Sequence, residues 1–190
     1  MKRLVVAVTG ASGAAYAVRF LTQAARHFDE IYLTLSSNAD AVLKTEMDKH
    51  WADVLASLPN VKLLSRKDYF TPPASGSFRH DGMVIVPCSM GTAGRIAGGI
   101  SDDLTTRAAD VCLKEGRKLI LVPREMPWNL IHLRNLTALA EAGATILPAS
   151  PAFYHQPRTI DDLVDTVVAR ILQNLGIDHG LHQEWKIDVE

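Results

Sequence analysis

The sequence predicts a single α/β domain built on a mostly parallel sheet with helices on both faces. Short apolar runs recur at strand length, and segments of helical periodicity fill most of the gaps between them. A small glycine-rich turn also follows the first run, where sheets of this kind bind ligands. Length agrees with one domain, because 190 residues bury a sizeable core without needing a second.

The apolar runs cover residues 4–8, 31–35, 83–86, 119–122 and 145–147, with a weaker one at 61–64. Each is short enough for a strand buried in a parallel sheet. Gly116, Gly143 and Gly176 each follow a helical run at the position of a left-handed C-terminal residue. Asp102 or Asp103, and Thr159, stand where N-caps belong. Residues 65–82 break this rhythm, since two prolines, two glycines and three serines exclude a regular element. Such a long loop in a compact domain is expected to be functional, and it carries Tyr69, Phe70 and Phe78. The domain is expected to span 1–176, leaving 177–190 as a polar tail that packs on a neighbouring subunit or frays.

Composition narrows the function. Twenty Lys and Arg against 21 Asp and Glu give a net charge of -1, with no block of like charge to bind nucleic acid. Cys88 and Cys112 are the only cysteines and belong to no CxxC or zinc spacing, so neither a disulfide scaffold nor a structural metal is expected. The start, MKRLVVAVTGASG, runs into a turn too early for a signal peptide, and no run approaches the roughly 18 to 20 apolar residues of a membrane span. A cytoplasmic enzyme or binding domain is expected.

Two turns are candidates for ligand binding. In Thr9-Gly10-Ala11-Ser12-Gly13, glycine permits close backbone approach, the following helix N-terminus favours an anion, and Ser12 adds a hydroxyl. The spacing matches neither the dinucleotide fingerprint nor the nucleotide P-loop, so a plain strand-to-helix turn is the competing reading. The run at 83–86 leads into Pro87-Cys88-Ser89-Met90-Gly91-Thr92, with two hydroxyls, a bare glycine and the free N–H groups of a helix start. Together they suggest a phosphorylated ligand. No acidic residue follows the second strand to hold a ribose diol; Ser36, Ser37 and Asn38 stand there, which leaves a mononucleotide such as FMN.

Several charges occupy unusual places. Arg107 and Lys114 are seven apart beside the stripe of Leu104, Ala108 and Val111, where they either clamp an anion or pair with Asp110 and Glu115. Arg170 borders the apolar face of Leu163, Val164, Val167 and Ile171, the position of an ordinary amphipathic edge. Arg124 and Glu125, between two prolines, are expected to project from the carboxyl edge of the sheet. Glu46 reads as a solvated helix carboxylate, and the seven histidines show no metal-binding pattern.

These residues resemble the UbiX-type flavin prenyltransferases. The matching segments are TGASG at 9–13, Ser36, Thr45 with Glu46, PPASGSF at 72–78, PCSMGT at 87–92, RAADVCLKEGRKLILVPREMP at 107–127 and PAFYHQP at 151–157. The resemblance implies a single-domain Rossmann/flavodoxin-like three-layer sandwich, assembled into a homododecamer with FMN at subunit junctions. It further implies metal-independent transfer of a dimethylallyl group from dimethylallyl phosphate to N5 and C6 of reduced FMN. The product, prenylated FMN, serves UbiD-type decarboxylases.

By the same resemblance, Gly10, Ala11, Ser12, Ser36, Ser89, Met90, Gly91, Thr92 and Arg124 form the flavin site. Lys114, Tyr154 and Arg170 form the allylic phosphate site, with Arg107, Ser75, Gly76, Ser77 and Tyr69 nearby. Ser12, Glu46, Lys114, Glu125 and Arg107 are the groups placed at the reacting centre. Tyr69 stands where relatives can carry tryptophan. Two rivals remain: an FMN-dependent peptidyl- or phosphopantothenoyl-cysteine decarboxylase, whose PxMNxxMW pattern is replaced here by PREMPW, and a non-catalytic flavin carrier.

Overall fold

A computed structural model describes residues 1–181. Six strands form one sheet: β1 (Arg3–Val8), β2 (Glu30–Leu35), β3 (Val61–Leu64), β4 (Met83–Cys88), β5 (Leu119–Pro123) and β6 (Thr145–Ile146). Their order is β3-β2-β1-β4-β5-β6 and every pairing is parallel. The expected runs are all strands. Residues 182–190, most of the expected tail, lie outside the described residues.

Helices cover both faces, as buried parallel strands require. On one face lie α1 (Ala14–Ala24), α2 (Ala39–Met47), α3 (Trp51–Ala56) and α7 (Ile160–Asn174). There α1 buries Ala14, Ala17, Phe20, Leu21 and Ala24 at helical spacing, and α7 buries Val164, Val167, Val168, Ile171 and Leu172 against it. The bidentate pair of Arg19 with Asp165, at 2.6 and 2.7 Å, ties these two helices at the rim. On the other face α4 (Met90–Ala97), α5 (Leu104–Lys114) and α6 (Leu130–Glu141) enclose a second core around Val5, Ala7, Ile85, Ala109, Cys112 and Leu121. The sheet therefore separates α5 from α7, which matters for the site.

Helix ends follow the expected chemistry. Gly116, Gly143 and Gly176 all adopt positive φ. Asp103 and Thr159 cap α5 and α7, each in a reciprocal box, with Thr106 and Asp162 at the third helical position. Asn129 caps α6 in the same way, a cap the sequence reading did not single out. In 65–82 the only helical element is a single 3-10 turn at Pro72–Ala74, and the loop is fastened by Phe78, which lies 5.3 Å beneath the Arg3 guanidinium and edge-on to Tyr32.

Burial works to raise the Asp103 carboxyl, but hydrogen bonds from the Thr106 N–H and Arg95 outweigh it and hold the group below its usual 3.8. A folded-state value lower than the unfolded one means stability present above 3.8 and lost as pH falls through the folded value. Urea midpoints are therefore expected to fall steadily below about pH 4. Asp103→Asn flattens part of this acid slope while lowering the midpoint at neutral pH, as circular dichroism melts across the range will read.

Candidate active site

In a doubly wound sheet the ligand crevice opens where strand order reverses, here between β1 and β4. Thr9, 3% exposed, joins the turns that follow those strands. Its Oγ1 donates to Pro87 O at 2.7 Å and accepts from Ser89 N at 2.8 Å. A single hydroxyl thus fixes one turn against the other.

The turn after β4 is an anion cradle. Ser89 Oγ caps α4 by accepting from Thr92 N at 3.2 Å, and it shares a proton with Thr92 Oγ1 at 3.0 Å. The N–H groups of Ser89 and Thr92 are therefore occupied, which narrows the expectation of a wholly free helix start. Met90 and Gly91 hold the first two helical positions, whose N–H groups have no intrahelical acceptor. A Cβ on Gly91 would meet only open space, so a ligand can approach the backbone there. Arg95, one turn further, donates to Thr92 Oγ1 at 3.4 Å and pairs with Asp102 at 2.5 Å and Asp103 at 3.1 Å, linking the cradle to the start of α5.

The turn after β1 is closed by the chain itself. Gly13 is the N-cap of α1 at φ 113 with no side-chain cap of its own. The Glu46 carboxylate, from α2, accepts from Gly13 N at 3.0 Å and Ala14 N at 2.8 Å. This corrects the reading of Glu46 as a merely solvated carboxylate. An anion supplied by the protein already neutralises the positive end of α1, which leaves the start of α4, of the two turns, as the one that could hold a ligand anion. Gly10, Ser12, Asn38, Thr45 and Glu46 line a cleft of about 370 Å³ beside this cap, and Ala11 is buried behind it.

Ser36 follows β2, with its N–H bonded to Val8 O at 2.9 Å. Its Oγ is buried without a hydrogen-bond partner. Buried hydroxyls are rarely left so, and one at the carboxyl edge of the sheet marks a place for a polar ligand. Arg124 leaves the end of β5 as expected, its Nε donating to Ser12 O at 3.1 Å and its N–H to Cys88 O at 3.2 Å. The Glu125 carboxylate accepts from Met126 N at 3.1 Å, while Trp128 Nε1 donates to Glu125 O at 2.8 Å. The hydroxyls, the cradle and Arg124 together fit a flavin mononucleotide.

The residues expected around the allylic phosphate fall into two groups. Arg107 and Lys114 on α5 lie beside Ser75, Gly76 and Ser77, with Arg107 Nε donating to Ala74 O at 3.1 Å and Nη1 pairing with Asp110 at 2.9 Å. Tyr154 and Arg170 line a different cavity, of about 360 Å³, with Pro148, Ser150 and Asn174. Within one chain Lys114 and Arg170 are not brought together, because α5 and α7 lie on opposite faces of the sheet. Tyr69 Oη donates to Ser101 O at 3.2 Å, which anchors a ring that is 42% exposed. Cys88 and Cys112 are buried, and burial pushes both thiols up to about 12, so neither offers a thiolate nucleophile. Among the described residues no group of three His, Cys, Asp or Glu is placed to hold a metal.

Sequence reasoning missed the Thr9 staple and Arg95. Arg95 was within reach of it, since a residue three positions after Thr92 on a helix lies against it. Thr9 was not, because its partners are some eighty residues away and only the strand order makes them neighbours.

Fold and site define a doubly wound α/β protein of the mononucleotide-binding class. A family model described as Flavoprotein matches residues 1–172. The chain belongs to this flavoprotein family and, within it, to the flavin prenyltransferases called UbiX. Flavin prenyltransferase UbiX of Thermoplasma acidophilum is 48% identical over 183 residues, covering 96% of this chain and 99% of that protein. A crystal structure of AnUbiX (PadA1) in complex with FMN and dimethylallyl pyrophosphate is 44% identical, covers 97% of each chain and superposes with a TM-score of 0.92. A dodecameric FMN-dependent UbiX-like decarboxylase from Escherichia coli O157:H7 is also 44% identical, with a TM-score of 0.90 over 97% of this chain and 99% of that one.

Ser36→Ala separates a ligand-binding hydroxyl from a structural one. Removing an unsatisfied buried hydroxyl is expected to leave the melting temperature of the flavin-free protein unchanged or slightly raised. FMN affinity is expected to fall about tenfold, the worth of one hydrogen bond, in a fluorescence titration.

Proposed function

We propose that this chain transfers the dimethylallyl group of dimethylallyl phosphate to N5 and then C6 of reduced FMN, yielding prenylated FMN for a UbiD-type decarboxylase. One observation carries the reading: beyond the flavin cradle at Ser89 to Thr92, the chain presents further cations, Lys114 beside the Ser75-Gly76-Ser77 turn and Arg170 with Tyr154 in a cavity. A flavin carrier has no use for a second anion site. A cysteine decarboxylase is disfavoured as well, by PREMPW in place of the PxMNxxMW pattern.

The chain's residues divide the work by charge. Met90 and Gly91 N–H groups, with the Ser89 and Thr92 hydroxyls, hold the flavin phosphate, while Gly10, Ala11, Ser12, Ser36 and Arg124 position the ring system. Reduced FMN, when bound, supplies the nucleophile. As the C–O bond of the donor breaks, negative charge grows on the departing phosphate, and Lys114 and Arg170 stabilise it. Tyr69 and Tyr154 offer aromatic faces to the positive allyl fragment. Glu46 keeps the Ser12 turn in place through Gly13 and Ala14, and Arg107 keeps the Ser75 turn in place through Ala74. Glu125 and the departing phosphate are the bases at hand for the C6 proton.

Lys114 and Arg170 lie on opposite faces of the sheet, which supports a site completed between copies of the chain. We take the assembly to be a homododecamer with FMN at its subunit junctions. Residues 1–176 serve as the catalytic domain, and Ile177, expected to begin the tail, packs on the core of its own chain. Among the described residues no helix is long and apolar enough to cross a membrane, and both cysteines are free, in keeping with work in the cytoplasm. Few cations face the donor, which favours the monophosphate over the diphosphate.

Anaerobic incubation with reduced FMN and dimethylallyl phosphate, followed by mass spectrometry, is expected to release a flavin heavier by one prenyl unit. Unchanged FMN with either donor would overturn the reading. Lys114→Ala is expected to retain FMN and lose about a hundredfold or more in kcat/KM, the scale of one lost charge-stabilising group.

A further inference from the structure

The turn formed by residues 74–78 is held through its carbonyls by Arg107, in the first half of α5, and by Arg117, just past its end. Arg107 donates to Ala74 O at 3.1 Å, and Arg117 donates to Phe78 O at 2.7 Å and, through its other Nη, to Gly76 O. Each guanidinium donates to the turn, Arg107 while also pairing with Asp110. Lys114, the third cation of this group, bonds instead to the carboxylate of its neighbour Glu115. Gly76 makes room for that pair: a Cβ there would stand 2.9 Å from Lys114 Nζ and 2.9 Å from Glu115 Cδ.

The position of Glu115 is poor for the helix itself. It is the C-cap residue of α5, where the helix dipole disfavours an anion, and Gly116 already ends the helix at φ 62. A carboxylate here adds nothing to capping; it is hydrogen-bonded to Lys114, stands beside the turn, and feels the charge of Arg117 more weakly. An ammonium has three N–H donors, and an incoming phosphate must share them with Glu115 or displace it. That phosphate also meets the negative charge of Glu115 at short range. A diphosphate, with more charge, meets a larger penalty.

We propose that Glu115 is the resting counter-ion of Lys114 and a specificity-determining residue: it holds the ammonium over the Ser75-Gly76-Ser77 turn, competes with the donor phosphate, and biases the site toward a monophosphate over a diphosphate. The inference rests on Lys114 being the residue that receives the donor phosphate. Lys114, through its hydrogen bond and its charge, holds the Glu115 carboxyl below its ordinary value, so the competitor remains ionised at neutral pH. Both side chains are part-exposed, at 46% and 36%, so the competition is modest.

The test compares wild type, Glu115→Gln, Glu115→Asp, Lys114→Ala and the Lys114→Ala/Glu115→Gln double variant, with dimethylallyl phosphate and dimethylallyl diphosphate as donors and FMN affinity measured alongside. Glu115→Gln is expected to lower the KM for the monophosphate roughly two- to fivefold, the range of an exposed ion pair. The KM for the diphosphate falls further, FMN affinity stays unchanged, and Glu115→Asp restores much of the wild-type behaviour. In the Lys114→Ala background the Glu115→Gln effect vanishes. An unchanged or raised KM in Glu115→Gln would overturn the proposal, as would an equal gain without Lys114, which would mark a general charge effect. Should Lys114→Ala itself leave donor KM and kcat untouched, the underlying assignment of Lys114 fails. If Lys114→Ala impairs the donor while Glu115→Gln changes nothing, the role of Glu115 alone fails.

Discussion

The Thr9 hydroxyl is the joint on which the flavin side of the molecule depends. By donating to Pro87 O and accepting from Ser89 N, it joins the ends of the two central strands at the point where strand order reverses. Ser89 then caps α4 in a fixed orientation, and the Met90 and Gly91 N–H groups point where an anion can lie. Glu46 does the complementary work at α1. By filling that helix terminus with a carboxylate of the chain's own, it leaves α4, of the two, as the terminus open to an anion.

The same sheet that builds this cradle divides the rest of the site. One apolar core lies beneath α1 and α7, the other beneath α4, α5 and α6, with the sheet between them. Lys114 on α5 and Arg170 on α7 therefore face different surroundings in a single chain. The proposed mechanism draws on both cations at one phosphate, which a second copy of the chain would supply. Oligomerisation, on this view, is part of the catalytic apparatus.

Much of this was legible in the sequence. Every strand followed from a short apolar run, and the glycines at 116, 143 and 176 marked helix ends because only a left-handed residue closes those turns cheaply. The helix start at Ser89 to Thr92 was readable from hydroxyls and glycine placed after a strand, and Ser89 does cap α4 there. What stayed hidden depends on contacts between distant segments. Glu46 looked like a solvated helix carboxylate because its partners, Gly13 and Ala14, stand some thirty residues away. Thr9 looked like a turn residue because Pro87 and Ser89 are separated from it by three strands' worth of chain. That Lys114 and Arg170 lie apart in one chain could not be read either, since periodicity assigns a residue to a face of its helix and not a helix to a face of the sheet.

Subunit complementation tests the shared site most directly. Lys114→Ala and Arg170→Ala proteins, each inactive in prenyl transfer alone, are co-expressed with different affinity tags and the mixed oligomers isolated. A site that takes Lys114 from one copy and Arg170 from another regains activity in about a quarter of its positions, as random mixing of two subunit types requires. Mixed oligomers that bind FMN yet remain as inactive as either parent would contradict a site shared between copies.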